Sequence, residues 1–117
     1  PAPDAAVQWH AYISEKLLSD EAAVFVAENE SGQLLGFSVI DIEEDGAEPF
    51  GMLCDLLVLP ESRSHGIGAA LMQRDFEWFR QKGINDIYLE SVRDNHHAHA
   101  FFERRGFEHV SNIYKLR

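Results

Sequence analysis

The sequence predicts one mixed α/β domain spanning residues 1–117, in which a front helix precedes a three-strand antiparallel meander and a strand–helix–strand crossover follows. Three observations predict it. Short apolar runs at residues 23–27, 34–42 and 51–59 are separated by turn formers, Asn29-Glu30-Ser31-Gly32 and an acidic segment ending at Pro49. The third run passes through Pro60 and a loop bearing Gly66 and Gly68 straight into a helical pattern, with Met72, Phe76 and Phe79 at spacings of four and three. A chain of 117 residues also holds one hydrophobic core more comfortably than two.

The elements follow in order. Asp4 can cap a helix whose apolar positions Ala6, Trp9, Ile13 and Leu17 repeat at three and four, ending near Ser19-Asp20. Residues 23–27 and 34–42 pair as a hairpin, and residues 51–59 add a third strand. Leu56, Leu57, Val58 and Leu59 suit a strand buried on both faces, and Pro60 stops it because proline cannot donate to a ladder. The following helix runs from Gly66 to about Lys82, with Gly83 as its left-handed stop. Residues 86–91 form a strand parallel to the third, reached by a right-handed crossover. Asp94 or Asn95 caps a shorter helix that Gly106 ends, and residues 107–111 and 113–116 supply one or two closing strands.

Charge and composition narrow the function classes. Acidic residues outnumber basic ones by 20 to 10, which argues against nucleic acid as a partner, since phosphate neutralisation needs a basic face. The same field would draw in a cationic substrate, or simply keep the surface soluble. Cys54 is the single cysteine, so no internal disulfide forms and a reducing, cytoplasmic location is expected. No apolar run approaches the ~20 residues of a membrane span, and no signal-peptide pattern opens the chain. The start, Pro1-Ala2-Pro3-Asp4, lacks methionine, through trimming or because a longer chain precedes it.

The junction at residues 56–71 carries the first chemistry. A helix N-terminus presents unpaired backbone N–H groups and the positive end of the helix dipole. Arg63 and two glycines stand at that point, so the loop is an anion site suited to phosphate, although a tight strand-to-helix turn needs glycine for its own reasons.

A second pattern lies one strand later, in Asn95-His96-His97-Ala98-His99-Ala100-Phe101-Phe102-Glu103-Arg104-Arg105-Gly106-Phe107. The two stretches together resemble the GCN5-related N-acetyltransferase (GNAT) superfamily. Its first hallmark, V-x-P-x-x-R/Q-x-x-G-x-G/A, is matched by Val58, Pro60, Arg63, Gly66 and Gly68. Its second, N-x-x-A-x-x-F/L-Y-x-x-x-G-F, is matched by Asn95, Ala98, Phe101, Gly106 and Phe107. The resemblance covers roughly residues 22–117. It implies the GNAT fold and acetyl-CoA as the acyl donor. Arg63, Ser64, His65, Gly66, Ile67, Gly68 and Ala69 would hold the pyrophosphate. Leu57 and Val58 would offer backbone groups to the pantetheine arm where two parallel strands splay apart. Asn95, Ala98, Phe101 and Phe102 would stand beside the arm and the thiol.

The implied transfer has physical requirements. An alkylamine with a pKa near ~10 must lose a proton before it attacks, whereas a thiolate with a pKa near ~8.5 leaves with little help. The base therefore matters more than the acid. The family's usual acid is a tyrosine, and Phe102 stands there. Its absence would cost up to ~10²–10⁴ in rate if that acid were needed. Water, Tyr88 or Tyr114 could substitute. Polyamine acetyltransferases carry a Glu-Asp pair on the strand before the loop, and here the pair reads Cys54-Asp55. Asp55 is the candidate base, directly or through water, or else a carboxylate that orients a backbone group.

The front of the chain also departs from the resemblance, because one helix stands where a strand and a helix are expected. The N-terminal strand is thus expected to be missing, and the exposed edge would invite pairing with a second copy in a homodimer. His96, His97 and His99 point in different directions on a helix, and no metal is expected. His65 touches phosphate or solvent; Phe76, Trp78 and Phe79 read as core. Glu43, Glu44, Asp45 and Glu48 read as a solvated turn that would favour a cationic amine if it bordered the acceptor cleft. The resulting expectation is N-acetyl transfer to a small-molecule or protein amine, the competing one a catalytically weak CoA-binding module for sensing or assembly.

Overall fold

Backbone pairing decides where the site can lie. The computed structural model describes residues 12–46, 48–63, 65–90, 96–110 and 113–116. Seven strands form one sheet: β1 (Tyr12–Ser19), β2 (Ala22–Glu28), β3 (Leu34–Glu43), β4 (Phe50–Val58), β5 (Ile87–Glu90), β6 (Phe107–Val110) and β7 (Ile113–Leu116), in the spatial order β1-β2-β3-β4-β5-β7-β6. Helix α1 (Ile67–Gln81) joins β4 to β5, and α2 (His96–Arg104) stands between β5 and β6. The first four strands are antiparallel neighbours, β4 and β5 are parallel, and β7 is antiparallel to both β5 and β6. This is the expected meander and crossover, with two closing strands.

The front of the chain differs from the expectation. Tyr12–Ser19 is a strand, paired antiparallel with β2 from Tyr12↔Glu28 to Ser19↔Ala22, and not the end of a helix. The strand expected to be missing before the hairpin is therefore present. Ile13 and Leu17 are four apart, which fits one face of a helix and equally the alternate positions 13, 15 and 17 of a strand. Pairing with the apolar β2 decides between them. The proposed cap Asp4, with Ala6 and Trp9, lies outside the described residues. As the edge strand, β1 leaves Leu17 and Leu18 exposed, with Lys16 beside them, a charge that discourages further pairing.

One face of the sheet is packed by α1. Ala23, Phe25 and Ala27 of β2, Ser38 and Ile40 of β3 and Leu53 of β4 are buried, and from the helix Leu71, Met72, Trp78 and Phe79 meet them. Helix α1 ends as expected, with Gly83 at φ +76. The fit is tight at Gly51, where an added Cβ would stand 2.6 Å from the buried Phe79 ring. Replacing Gly51 by alanine is expected to lower stability by about 1–3 kcal/mol through overpacking, measured as a reduced urea midpoint with an unchanged m-value.

Candidate active site

Strand β4 has two neighbours, and it keeps them over different lengths. Against β3 it is paired from Phe50 to Val58, whereas against β5 the pairing covers only Gly51↔Ile87, Met52↔Tyr88 and Leu53↔Leu89. Beyond Leu53 the β5 side of β4 is open among the described residues. A β-bulge falls at the same point: Val39 faces Asp55 and Ile40 faces Leu53, so Cys54 has no counterpart on β3. The extra residue bends and twists β4 where it loses its second neighbour.

The open edge has a definite polarity. The Leu59 N–H bonds the Leu35 carbonyl at 3.0 Å. Antiparallel alternation then turns the backbone groups of Leu57 toward β3 and those of Leu56 and Val58 toward the opening. Of the expected pair Leu57 and Val58, only Val58 has its backbone groups on the open side, where those of Leu56 also lie. Nor is this segment buried on both faces. Leu56, Val58 and Leu59 are half-buried and Leu57 is 41% exposed, because nothing described covers them beyond the split.

The loop that follows closes the far end of this opening. Pro60–Ser62 forms a single 3-10 turn, and the exposed Arg63 folds back so that its Nε donates to the Val58 carbonyl at 3.1 Å. Its guanidinium is thereby held at the mouth of the opening. Gly66 takes the N-cap of α1 at φ +82, a left-handed conformation that other residues adopt only with strain. It offers no side-chain cap, so the first N–H groups of α1 remain directed outward for an anion. His65 is exposed, Ile67 and Gly68 are buried and Ala69 is half-buried; Ser64 lies outside the described residues.

The second stretch singled out in the sequence meets the first here. A Cβ on Gly68 would lie 3.1 Å from the tip of the Phe101 ring and 3.6 Å from a Val58 methyl. Phe101 thus seats α2 on the start of α1 beside β4, with the Arg105 guanidinium 4.2 Å above its ring centre. Phe102 belongs to an aromatic run, edge-on to Phe101 at 5.8 Å and to Phe107 at 6.3 Å, and Phe107 is tilted against Phe76. Ala98 lies on α2, and Asn95 lies outside the described residues. Tyr88, one of the phenols considered as an acid, packs edge-on against Phe50 with the Lys115 ammonium over its ring.

A cluster that the sequence reading did not assemble lies on the sheet face opposite α1. Asp41 and Glu43 are two apart on β3 and so share a face, and Cys54 shares it too, two residues from Met52, the pairing partner of Asp41. Asp41, Glu43 and Cys54 each place a potential ligand atom within 4.8 Å of the others. Hydrogen bonding with Asp41, then burial, then repulsion from its charge raise Glu43 above its ordinary value. Asp41 Oδ1 is shut off from solvent with no donor, and a proton shared between the two carboxyls would supply one. Burial first, then Asp41, with Glu43 and the exposed Asp55 adding their charges, push the Cys54 thiol up to about 12. The alternation of Asp41 with Val39 and Phe37 was the available sequence signal. Glu43 ends a strand and so belongs to this cluster, not to the solvated turn.

Against this geometry, known proteins can be compared. A sequence model of the acetyltransferase (GNAT) family matches residues 2–107. The chain belongs to this family. An aminoglycoside N(6')-acetyltransferase type 1 of Stenotrophomonas maltophilia is 29% identical over 90% of this chain and 72% of its own length. A mycothiol acetyltransferase of Propionibacterium freudenreichii is 32% identical over 79% of this chain, which corresponds to only 30% of that larger protein. The solved PaiA N-acetyltransferase of Thermoplasma acidophilum in complex with coenzyme A shares the fold, with a TM-score of 0.68 at 21% identity over 81% of this chain and 58% of that one. The GNAT fold expected from the two hallmarks is thus present, and no helix among the described residues is long and apolar enough to cross a membrane.

The state of Cys54 is open to measurement. At pH 8 a thiol titrating near 12 holds far less thiolate than an ordinary cysteine, only partly offset by its greater intrinsic nucleophilicity. Iodoacetamide should label it roughly 50–100-fold more slowly than a free cysteine. Asp41→Asn should speed labelling by removing the nearest repulsive charge.

Proposed function

We propose that this GNAT chain moves acetyl from acetyl-CoA to a primary amine by direct attack in a ternary complex. The observation that carries this reading is the parting of β4 from β5 after Leu53↔Leu89, on the strand that runs on into the loop and α1. The pantetheine arm is an extended chain with amide groups, and an open strand edge is the surface that pairs with one. In this reading the arm lies along Leu56 and Val58 with Leu57 as an apolar wall. The pyrophosphate meets Arg63, Ser64 and His65 and the helix start at Gly66, Ile67, Gly68 and Ala69. Asn95, Ala98, Phe101 and Phe102 border the thiol end.

The chemistry follows from that placement. The Val58 N–H would polarise the thioester carbonyl as charge develops on its oxygen. The amine nitrogen attacks the carbonyl carbon, the C–S bond breaks, and the thiolate leaves. The amine's proton passes to Asp55, directly or through water. Asp41 and Glu43, on the face next to the bulge, would attract the acceptor as an ammonium before it is deprotonated. That cluster, with relatives named for an aminoglycoside and for mycothiol, supports a small cationic acceptor over a protein amine.

The test is thiol release from acetyl-CoA across a panel of polyamines, aminoglycosides and peptide amines. Turnover is expected on the cationic small amines, and Asp41→Asn with Glu43→Gln should raise KM for them more than it lowers kcat. Absence of turnover on every amine, with tight CoA binding retained, would instead support a binding module. Because the thiolate is a good leaving group, Phe102→Tyr is expected to change kcat by less than about tenfold. Arg63→Ala should weaken acetyl-CoA binding by about 1.5–3 kcal/mol, the scale of a charge-assisted hydrogen bond. Unchanged calorimetric affinity would remove the loop from the pyrophosphate.

A further inference from the structure

The interior between α1 and the sheet holds a carboxyl group that acetyl transfer does not use. Asp75 lies on the inward face of α1 and is 0% exposed, as is Ser38 opposite it on β3. The Ser38 hydroxyl donates to Asp75 Oδ1 at 2.7 Å, the sole side-chain hydrogen bond between buried groups among the described residues. Asp75 Oδ2 is buried with no partner. An ionised carboxylate in that position would have one neutral donor for two charged oxygens, a costly state for a group removed from water.

Among the described residues no cation pairs with it. The inward side chains of the packed strands are apolar: Phe25 and Ala27 on β2, Ile40 on β3, Leu53 on β4 and Leu89 on β5. Asp41 and Glu43 of β3, and Cys54 and Asp55 of β4, turn to the other face. Glu15 shares the inward face but stands exposed on the edge strand β1, and as an anion it offers no relief. On α1 itself, Arg74 sets its guanidinium 5.5 Å from the centre of the Phe25 ring and pairs with Glu77, not with Asp75.

We propose that Asp75 is a proton-dependent seat for α1: the helix lies closed on β3 while the carboxyl carries its proton, and proton loss favours a state in which α1 lifts. The helix start that follows the Gly66 loop moves with α1, so the device acts on the same end of the molecule that faces the proposed coenzyme. It is independent of whether acetyl transfer occurs. The sign follows from where the proton is held. Burial first, opposed by the Ser38 bond, pushes Asp75 from 3.8 up to about 7 in the packed state, while a lifted helix returns it to water and to its ordinary value. The stabilisation is therefore complete below about pH 4, is lost progressively as pH rises toward 7, and changes no further above that.

Urea unfolding of the wild type and of Asp75→Asn from pH 5 to pH 9 isolates this one group, because the other titrations are common to both proteins. The folding constant of the wild type relative to the variant should fall roughly fiftyfold between pH 5 and pH 7 and stay level from 8 to 9. Ser38→Ala removes the bond that favours the ionised form and should carry the fall to higher pH. Amide exchange corrected for its intrinsic pH dependence should show the loss of protection in α1 ahead of β2 and β3. Parallel stability curves for wild type and Asp75→Asn would overturn the proposal. Should that variant fail to fold, carbon-13 titration of the Asp75 carboxyl in the wild type decides the matter: a midpoint near 7 supports the seat, and one near 4 overturns it.

Discussion

The loss of a hydrogen-bonding neighbour by β4 is the constraint on which the rest of the site depends. A buried backbone must have its N–H and C=O groups paired, so a strand inside a sheet normally keeps both neighbours along its whole length. Among the described residues, β3 follows β4 to Val58 while the pairing with β5 ends at Leu53↔Leu89. The bulge at Cys54 bends the strand at that point, and an apolar segment that would otherwise be interior is left half-open, with Leu57 exposed. An exposed leucine beside backbone groups that no described strand pairs is costly to a protein that puts nothing there and useful to one that docks an extended amide chain.

The two ends of the opening are built from different parts of the chain and meet through small residues. Gly66 supplies the left-handed turn that aims the start of α1, and Gly68 leaves room for the Phe101 ring. Through that contact α2 leans on α1, and Arg63 ties the loop to Val58. At the other end, Cys54 stands beside Asp41 and Glu43 on the face opposite α1. The bulge adds Asp55 to that face, opposite Val39, where alternation from the inward Leu53 would have turned it to the other.

Much of this was legible in the sequence because it rests on local rules. Proline after an apolar run, glycine before a helix and glycine after one mark β4, α1 and the end of α2, and the paired hallmarks gave the family. What escaped the sequence depended on pairing. Ile13 and Leu17 satisfy both helical and strand spacing, so only the presence of β2 decides for β1. Which of Leu56, Leu57 and Val58 faces the opening depends on strand parity, set by the bond from Leu59 to Leu35. The cluster depends on the register of β3 with β4, which sets Met52 opposite Asp41 and so brings Cys54, two residues on, to the same face. Phe102 has no proton to give, and its ring joins the aromatic run with Phe101 and Phe107.

The central claim is that the open edge of β4 is a backbone docking surface, and the Val58 amide reports on it directly. Its N–H faces the opening, whereas that of Leu57 is already bonded to β3. Residue-resolved hydrogen exchange, with and without coenzyme A, would compare the two. The account predicts that coenzyme A slows exchange at Val58 by at least about tenfold more than at Leu57. Equal slowing at both amides, or none at Val58 when coenzyme A is bound, would contradict it.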